Sequence, residues 1–255
     1  MTTPFDCRKL NLIRDPLDPR DHDDRMMFAR APHIPAHSSY NDVSLVGSVV
    51  DQGETGSCVG QTFKALCRFL FRSRVPGIGT EFSARWIWLI AKDIDRKAQS
   101  VVFENAGTYA RNALKVLNKF GACPEYLWPF NELLPSADLE SAIIGAAAQY
   151  RIGEYWRLKN LKAQRMHLAT VGPFPLGVPV YENWEEIGSD GIVPLPSGAL
   201  LGGHEVLATG HDDPTELIEA KNSWGLKSGK RGYIYLPYEY VEEHAWDAWG
   251  VGVPQ

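Results

Sequence analysis

The spacing of apolar residues changes along this chain from the period of a helix to the alternation of a strand. Apolar positions recur every three or four residues in three segments, which predicts amphipathic helices over residues 57–72, 82–96 and 108–121. Later runs are short, β-rich and separated by Gly, Pro and Asp, which predicts strands within residues 150–158, 172–181, 204–212, 215–224 and 232–238. A helical half followed by a β-rich half predicts an α+β fold with two lobes and a cleft between them.

The same change of pattern divides the chain into three parts. Residues 1–47 are rich in Pro, Asp, Arg and His, and their Asp-Pro steps disfavour a helix. We interpret them as an extended arm or strap, with partial disorder as the alternative. Residues 48–150 are expected to form a helical lobe and residues 151–255 a β-rich lobe. The 255-residue chain is 44% hydrophobic, which is ample for the core of such a unit.

Composition argues against several kinds of partner. The formal net charge is −5 and no cluster of Lys or Arg reverses it locally, so no nucleic acid or membrane partner is expected. The N-terminus lacks the apolar segment of a secretory signal, and no transmembrane segment is predicted. No CxxC pair occurs, and Cys67 and Cys123 lie among apolar neighbours as expected of buried thiols. These features favour a cytoplasmic or otherwise reducing compartment.

The first candidate for chemistry is Cys58, at the start of a helix that Ser57 is placed to cap. Backbone N–H groups and the helix dipole favour a thiolate there, and the same amides can donate to an oxyanion. Gly53 and Gly56 leave room for a substrate, and Gln52 supplies a neutral amide donor. Taken alone, a cysteine at such a position is more often a packing residue, so its function depends on partners elsewhere in the chain.

The second candidate is His204, which follows two glycines in the run LGGHEVLATGHDD. We place it at the start of an alternating strand, where a lone histidine is usually structural. A zinc site is the other interpretation, but strand alternation puts His204 and His211 on opposite faces and position 206 carries no ligand. We therefore expect no metal from the acidic and imidazole side chains of this run, which are His204, Glu205, His211, Asp212 and Asp213.

The third candidate is Asn222, in the run KNSWG. It is either a turn residue or an amide that accepts the N–H of an imidazole, so that the other ring nitrogen faces a thiol. Trp224 beside it is placed to shield that hydrogen bond from water.

QGETGSC, GGHEVLATG and KNSWG occur in the order Cys, His, Asn, at the separations expected of papain-like cysteine peptidases. The chain resembles that family along nearly its whole length, and most closely its bacterial-type branch. The resemblance implies a papain-like two-lobe fold, with a helical left lobe, an antiparallel β-barrel-like right lobe and the active site in the cleft. It implies that Cys58 is the nucleophile, His204 the general base and then acid, and Asn222 the orienting residue. It also implies Gln52 and the Cys58 N–H as oxyanion donors, and no cofactor. The substrate would be a protein or peptide, in contact with Gly56, Ser57, Gly203 and Trp224.

Several positions depart from the pattern of that family. Val59 replaces the usual aromatic residue after the nucleophile, and Thr55 stands where many members carry a disulfide cysteine. Glu205 replaces a small apolar residue; we expect it to point away from Cys58, and a buried carboxylate there would raise the pKa of His204. The segment before Cys58 is too short for the inhibitory pro-domain of the family, so activation by propeptide removal is not expected.

The leading hypothesis is therefore a cysteine endopeptidase that works through an acyl-enzyme. One alternative is a non-catalytic papain-fold component of a larger assembly, with residues 1–47 gripping a protein partner. A second alternative is an acyltransferase, deamidase or amidase with the same Cys–His chemistry, although such folds usually lack an Asn-Ser-Trp-Gly segment after the histidine.

Overall fold

A computed structural model describes residues 10–22, 34–72, 81–99, 107–132, 134 and 139–252. The helical lobe contains α1 Val43–Val46, α2 Cys58–Phe71, α3 Ala84–Gln99, α4 Ala110–Lys119 and α5 Glu140–Ala147. The other lobe contains α6 Leu161–Thr170, α7 Tyr238–His244 and an antiparallel sheet. Its strands are β1 His37–Ser39, β2 Tyr155–Arg157, β3 Phe174–Tyr181, β4 Leu200–Asp212, β5 Leu217–Lys221, β6 Tyr233–Pro237 and β7 Asp247–Val251. The strand order is β2-β7-β3-β4-β5-β6, with β1 paired to β4.

Helix α2 is the central element of the helical lobe. The apolar face predicted for it is buried, and this face consists of Val59, Phe63, Leu66, Cys67 and Leu70. Helix α3 packs closely against α2 at Gly60, where an added Cβ would lie 2.5 Å from the Ala84 carbonyl oxygen and 2.9 Å from the Trp88 Cβ. Helix α4 ends at Lys119, where Phe120 is its C-cap and Gly121 follows with φ of 90°. The three predicted helices are therefore confirmed.

The predicted strands are also present, but this lobe differs from the prediction in several features. Strand β4 begins at Leu200, so His204 lies inside the strand and not at its start. Helix α6 was not predicted, because it buries the polar side chains of Gln164 and His167 along with its apolar ones and so lacks a clear apolar stripe. None of the described helices has the length and apolar character needed to cross a bilayer.

Residues 10–22, which we call the strap, lie between the lobes. The Leu12 N–H donates to the Gly203 carbonyl oxygen at 3.0 Å, and the Ile13 N–H donates to the Thr108 carbonyl oxygen at 3.3 Å. Leu10 packs in the core of the β lobe, whereas Leu12 packs in the core of the helical lobe. The strap therefore pairs with both walls of the cleft, as an extended chain does.

The remainder of the predicted arm is only partly as expected. Residues 34–47 are not extended throughout, because they contain β1 and α1, and Val46 at the end of α1 is fully buried. Residues 1–9, which include Cys7, and residues 23–33 lie outside the described residues.

Substituting Gly60 with alanine should destabilise the protein, because the new Cβ would meet the backbone of α3. We expect the free energy of unfolding to fall by about 1–3 kcal/mol, as in other overpacked cores. Gly145→Ala is the matched control, since Gly145 is also helical but nothing lies within 4 Å of its would-be Cβ. That control should be neutral or stabilising by up to about 1 kcal/mol. Urea unfolding of both variants measures the difference, and equal effects would contradict this account of the packing.

Candidate active site

Cys58 lies at the first position of α2 and is completely buried. Three backbone N–H groups lie on its Sγ, from Glu205 on β4, Val59 on α2 and Asn11 on the strap. Burial raises the pKa of the Cys58 thiol to about 12; the Glu205 carboxyl adds to this shift and the N–H groups oppose it. Burial beneath the strap therefore opposes the thiolate that the helix start favours.

His204 and Asn222 are joined by a hydrogen bond of 2.7 Å between Nε2 and Oδ1. The same Asn222 oxygen accepts the N–H of Ser223 at 2.8 Å, and the amide nitrogen of Asn222 donates to Ser228 Oγ at 3.2 Å. Because Oδ1 is an acceptor, Nε2 carries the proton and Nδ1 is the basic nitrogen of the ring. The Trp224 ring stacks on the imidazole with 4.3 Å between centroids, which covers the hydrogen bond as predicted.

Gln52 is buried and ties the loop before α2 to the segment after Asn222. Its Oε1 accepts from Ser223 Oγ at 2.6 Å, and its Nε2 donates to the Thr55 carbonyl oxygen at 2.6 Å. Gly56 and Ser57 follow in the same loop and are buried beside Cys58. The predicted amide donor therefore lies on the short loop that leads into α2, and the predicted nucleophile is the first residue of that helix.

The cleft expected between the lobes is present, and the strap occupies it. A Cβ added to Gly107 would overlap the Asn11 carbonyl group, and one added to Gly203 would overlap the Leu12 carbonyl oxygen and the Trp246 ring. On both walls of the cleft, the strap therefore passes a glycine, where no side chain stands in its way. Gly203 was predicted to contact substrate; Gly107 on the opposite wall was missed, because nothing in the sequence around it marks a cleft.

Two aspartates anchor the strap to both lobes. Asp15 Oδ2 accepts the backbone N–H of Arg111 at 3.1 Å and the indole N–H of Trp249 at 3.1 Å. Asp21 Oδ2 binds Arg111 Nη2 at 2.6 Å and Arg157 Nε at 2.8 Å. Sequence reasoning missed Arg111 and Arg157, since a lone arginine on a helix or strand carries no signal of its distant partner.

Three carboxyl groups are buried together, that of Asp15 on the strap and those of Glu205 and Asp247 in the β lobe. Burial raises the pKa of Asp247 to about 7, and the negative charge of Asp15 adds to the shift. Burial likewise raises the pKa of Glu205 well above its ordinary value, with the charges of Asp247 and Asp15 as further causes. Glu205, which departs from the family pattern, therefore belongs to a group of three buried carboxyls. Its charge also raises the pKa of the Cys58 thiol.

No group of three or more His, Cys, Asp or Glu side chains in the described part of the chain is arranged to hold a metal ion. His211 lies at the other end of β4, where its Nδ1 accepts from Ser38 Oγ at 2.8 Å and its Nε2 donates to the Pro35 carbonyl oxygen at 3.0 Å. Both nitrogens of this histidine therefore serve to hold the chain segment that leads into β1.

Comparison with known proteins agrees with this geometry. No family model matches the chain. It is 28% identical over 217 residues to an uncharacterized peptidase C1-like protein of Acanthamoeba polyphaga mimivirus, which covers 79% of this chain and 68% of the relative. Xylellain, a cysteine protease from Xylella fastidiosa, superposes with a TM-score of 0.79 at 27% identity over 97% of each chain. A procathepsin B from Trypanosoma congolense shares the fold, with a TM-score of 0.75 at 14% identity over 100% of this chain and 90% of its own.

Two lobes that meet at a cleft containing Cys, His and Asn define the architecture of a thiol hydrolase. The chain is a cysteine peptidase with a papain-like fold, a hydrolase that acts on peptide bonds.

The buried Asp247 should make the stability of the protein depend on pH. Its folded pKa lies above the unfolded value of 3.8, so the stability it contributes is present below about pH 4 and is lost as the pH rises through about 7. The groups that face it are Asp15, Glu205, Arg111 and Arg157. Between pH 5 and 6 the unfolding free energy should fall by up to roughly 1.4 kcal/mol more in the wild type than in Asp247→Asn.

Urea unfolding at pH 5, 6, 7 and 8 measures this slope. Glu239→Gln, which removes an exposed carboxylate elsewhere in the same lobe, is the control and should keep the wild-type slope. Parallel slopes for the wild type and Asp247→Asn would show that Asp247 is ionised throughout the range.

Proposed function

We propose that Cys58 is the nucleophile of this peptidase, that His204 is its general base and then acid, and that Asn222 positions the imidazole. The observation that carries the proposal is the 2.7 Å hydrogen bond between His204 Nε2 and Asn222 Oδ1 beneath Trp224. This hydrogen bond makes Nδ1 the basic nitrogen of His204. Glu205, the next residue on β4, places its backbone N–H on the Cys58 sulfur. The nucleophile, the base and the positioning residue are thus linked from one lobe to the other.

In the reaction, His204 takes the proton of the thiol, and the Cys58 thiolate then bonds to the peptide carbonyl carbon to form a tetrahedral oxyanion. The C–N bond then breaks, and the leaving amine takes the proton from the imidazolium. Water attacks the thioester while His204 accepts its proton, which releases a carboxylic acid and restores the thiol. Gln52 Nε2 and the Cys58 N–H donate to the oxyanion at the start of α2.

We further propose that the strap holds the enzyme in a closed form. While residues 10–13 pair with Gly203 and Thr108, they occupy the space in which an extended substrate would lie. Movement of these residues hydrates Cys58, which removes the main cause of its raised pKa and allows the thiolate–imidazolium pair to form. The Gly203 carbonyl oxygen that accepts the Leu12 N–H is then available to a substrate, as are Gly56, Ser57 and Trp224.

The roles of Cys58 and His204 are tested by alkylation and by mass spectrometry of peptides. Iodoacetamide near neutral pH should modify Cys58 ahead of the buried Cys67 and Cys123, and His204→Ala should abolish this selectivity. Peptide cleavage should add one water across a backbone bond and fall by about 10³-fold or more in Cys58→Ser and His204→Ala. A Cys58 no more reactive than Cys67 would contradict the proposal, and a side-chain amide lost from an uncut peptide would indicate a deamidase.

The closed form is tested by two matched substitutions in the strap. Leu12→Ser removes a side chain that is 4% exposed in the cleft, whereas Leu17→Ser changes one that is 91% exposed. Loss of the buried leucine should favour opening and raise the rate of Cys58 alkylation by about 10- to 100-fold, which corresponds to about 1.5–3 kcal/mol of burial. Leu17→Ser should leave the rate unchanged, and equal rates in both variants would show that the strap does not cover the thiol.

A further inference from the structure

Two carboxyl groups lie on opposite sides of a glycine, one on each of the two strands that flank it. Gly177 on β3 is directly opposite Glu205 on β4 and directly opposite Asp247 on β7. Residues that are directly opposite in an antiparallel sheet point to the same face, so both carboxyl groups flank the position where Gly177 has no side chain. The result is a hollow, which we call the acidic pocket and define by Gly177, Glu205 and Asp247.

The strap fills the acidic pocket with an apolar side chain. A Cβ added to Gly177 would lie 2.8 Å from Leu12 Cδ2 and 2.9 Å from Asp247 Oδ1. The pocket also adjoins the nucleophile, because the backbone N–H groups of Glu205 and Asn11 both lie on the Cys58 sulfur. Leu12 therefore marks where a side chain of a bound peptide would enter, next to the bond under attack.

Leucine is chemically mismatched to this pocket. Glu205 Oε1 and Oε2 and Asp247 Oδ1 have no hydrogen-bond partner among the described residues, although Glu205 is 0% and Asp247 5% exposed. Buried polar atoms without partners are costly, and an aliphatic side chain cannot donate to them. Burial raises the pKa of both groups, which disfavours their charged forms while Leu12 covers the pocket.

We propose that the acidic pocket binds the lysine or arginine side chain of a peptide substrate, and that Leu12 occupies it only until such a substrate displaces the strap. An ammonium or guanidinium group supplies several donors to the three unpartnered oxygens, and its charge favours the ionised carboxylates. Because Leu12 follows Asn11, the basic residue of the substrate lies next to the cleaved bond or one residue from it. This inference rests on the proposed function and names its substrate class.

The neighbouring cations do not already serve this role. Arg111 and Arg157 bind Asp21, and Arg111 also donates to the Pro16 carbonyl oxygen at 2.7 Å, so both are held by the later part of the strap. Displacement of residues 10–13 alone opens the acidic pocket and leaves this anchor in place.

Matched peptides that differ only in arginine or citrulline test the proposal, because citrulline keeps the shape of arginine without its charge. The enzyme is the full chain with Leu12→Ser, and the variable residue is moved through the positions on each side of the cleaved bond. At one position the arginine peptide should have a kcat/KM about 100-fold above that of the citrulline peptide, as expected when a buried charge loses its partner. Adding Glu205→Gln and Asp247→Asn should bring the ratio near one, whereas adding Glu239→Gln should leave it unchanged.

A second measurement does not depend on activity and uses the strap itself as the ligand. Leu12→Lys and Leu12→Gln differ mainly in charge. The lysine variant should have the higher melting temperature when Glu205 and Asp247 are present, and the lower one in the Glu205→Gln, Asp247→Asn background.

The outcomes separate this proposal from the proposed function. Equal cleavage of arginine and citrulline peptides at every position would overturn the acidic pocket and leave the peptidase mechanism intact. If no peptide is cleaved and Cys58 is not alkylated selectively, the mechanism fails. In that case the Leu12→Lys comparison alone still supports or overturns the cation site.

Discussion

The alternation of side chains along β4 is the constraint on which the rest of the structure depends, because its two faces belong to different cores. Val206 and Ala208 pack in the core of the β lobe, whereas Leu207 packs in the core of the helical lobe. The register that buries these side chains in both cores also sets the orientation of His204 and Glu205, which precede them on β4. It places His204 beneath Trp224 and turns Glu205 toward the strap. A slip of one residue would exchange the faces, bury the wrong side chains and remove the base from the site.

The strap that covers the cleft also contributes to the burial that raises the pKa of its acidic groups. Cys58, Glu205 and Asp247 are all buried, and burial is the largest cause of the raised pKa of each. In the arrangement with the strap in the cleft, these three side chains are therefore shielded from water. Because the same segment excludes water and peptide, its movement changes access and reactivity together. The aspartates that fix the strap, Asp15 and Asp21, lie just beyond the part that crosses the nucleophile.

Prediction from sequence succeeded where one segment carries its own signal. The period of the apolar residues identified α2, α3 and α4, since each presents one clear face to a core. It missed α6, because that helix buries His167, whose Nδ1 donates to the Gly172 carbonyl oxygen at 2.8 Å, among its apolar side chains. It also missed β7, because this strand is buried at all five positions and so shows no alternation of apolar and polar residues.

For the site, the sequence by itself determined the candidates for chemistry, which are Cys58, His204 and Asn222, with Gln52 on the loop before the helix. Their order and separation are properties of the chain, and the fold class follows from local periodicity. Only the tertiary structure decided that the strap lies on Cys58, that Asp21 joins Arg111 to Arg157, and that Asp247 lies across Gly177 from Glu205. These are contacts between residues far apart in the chain, and their energies depend on burial, which no local pattern encodes.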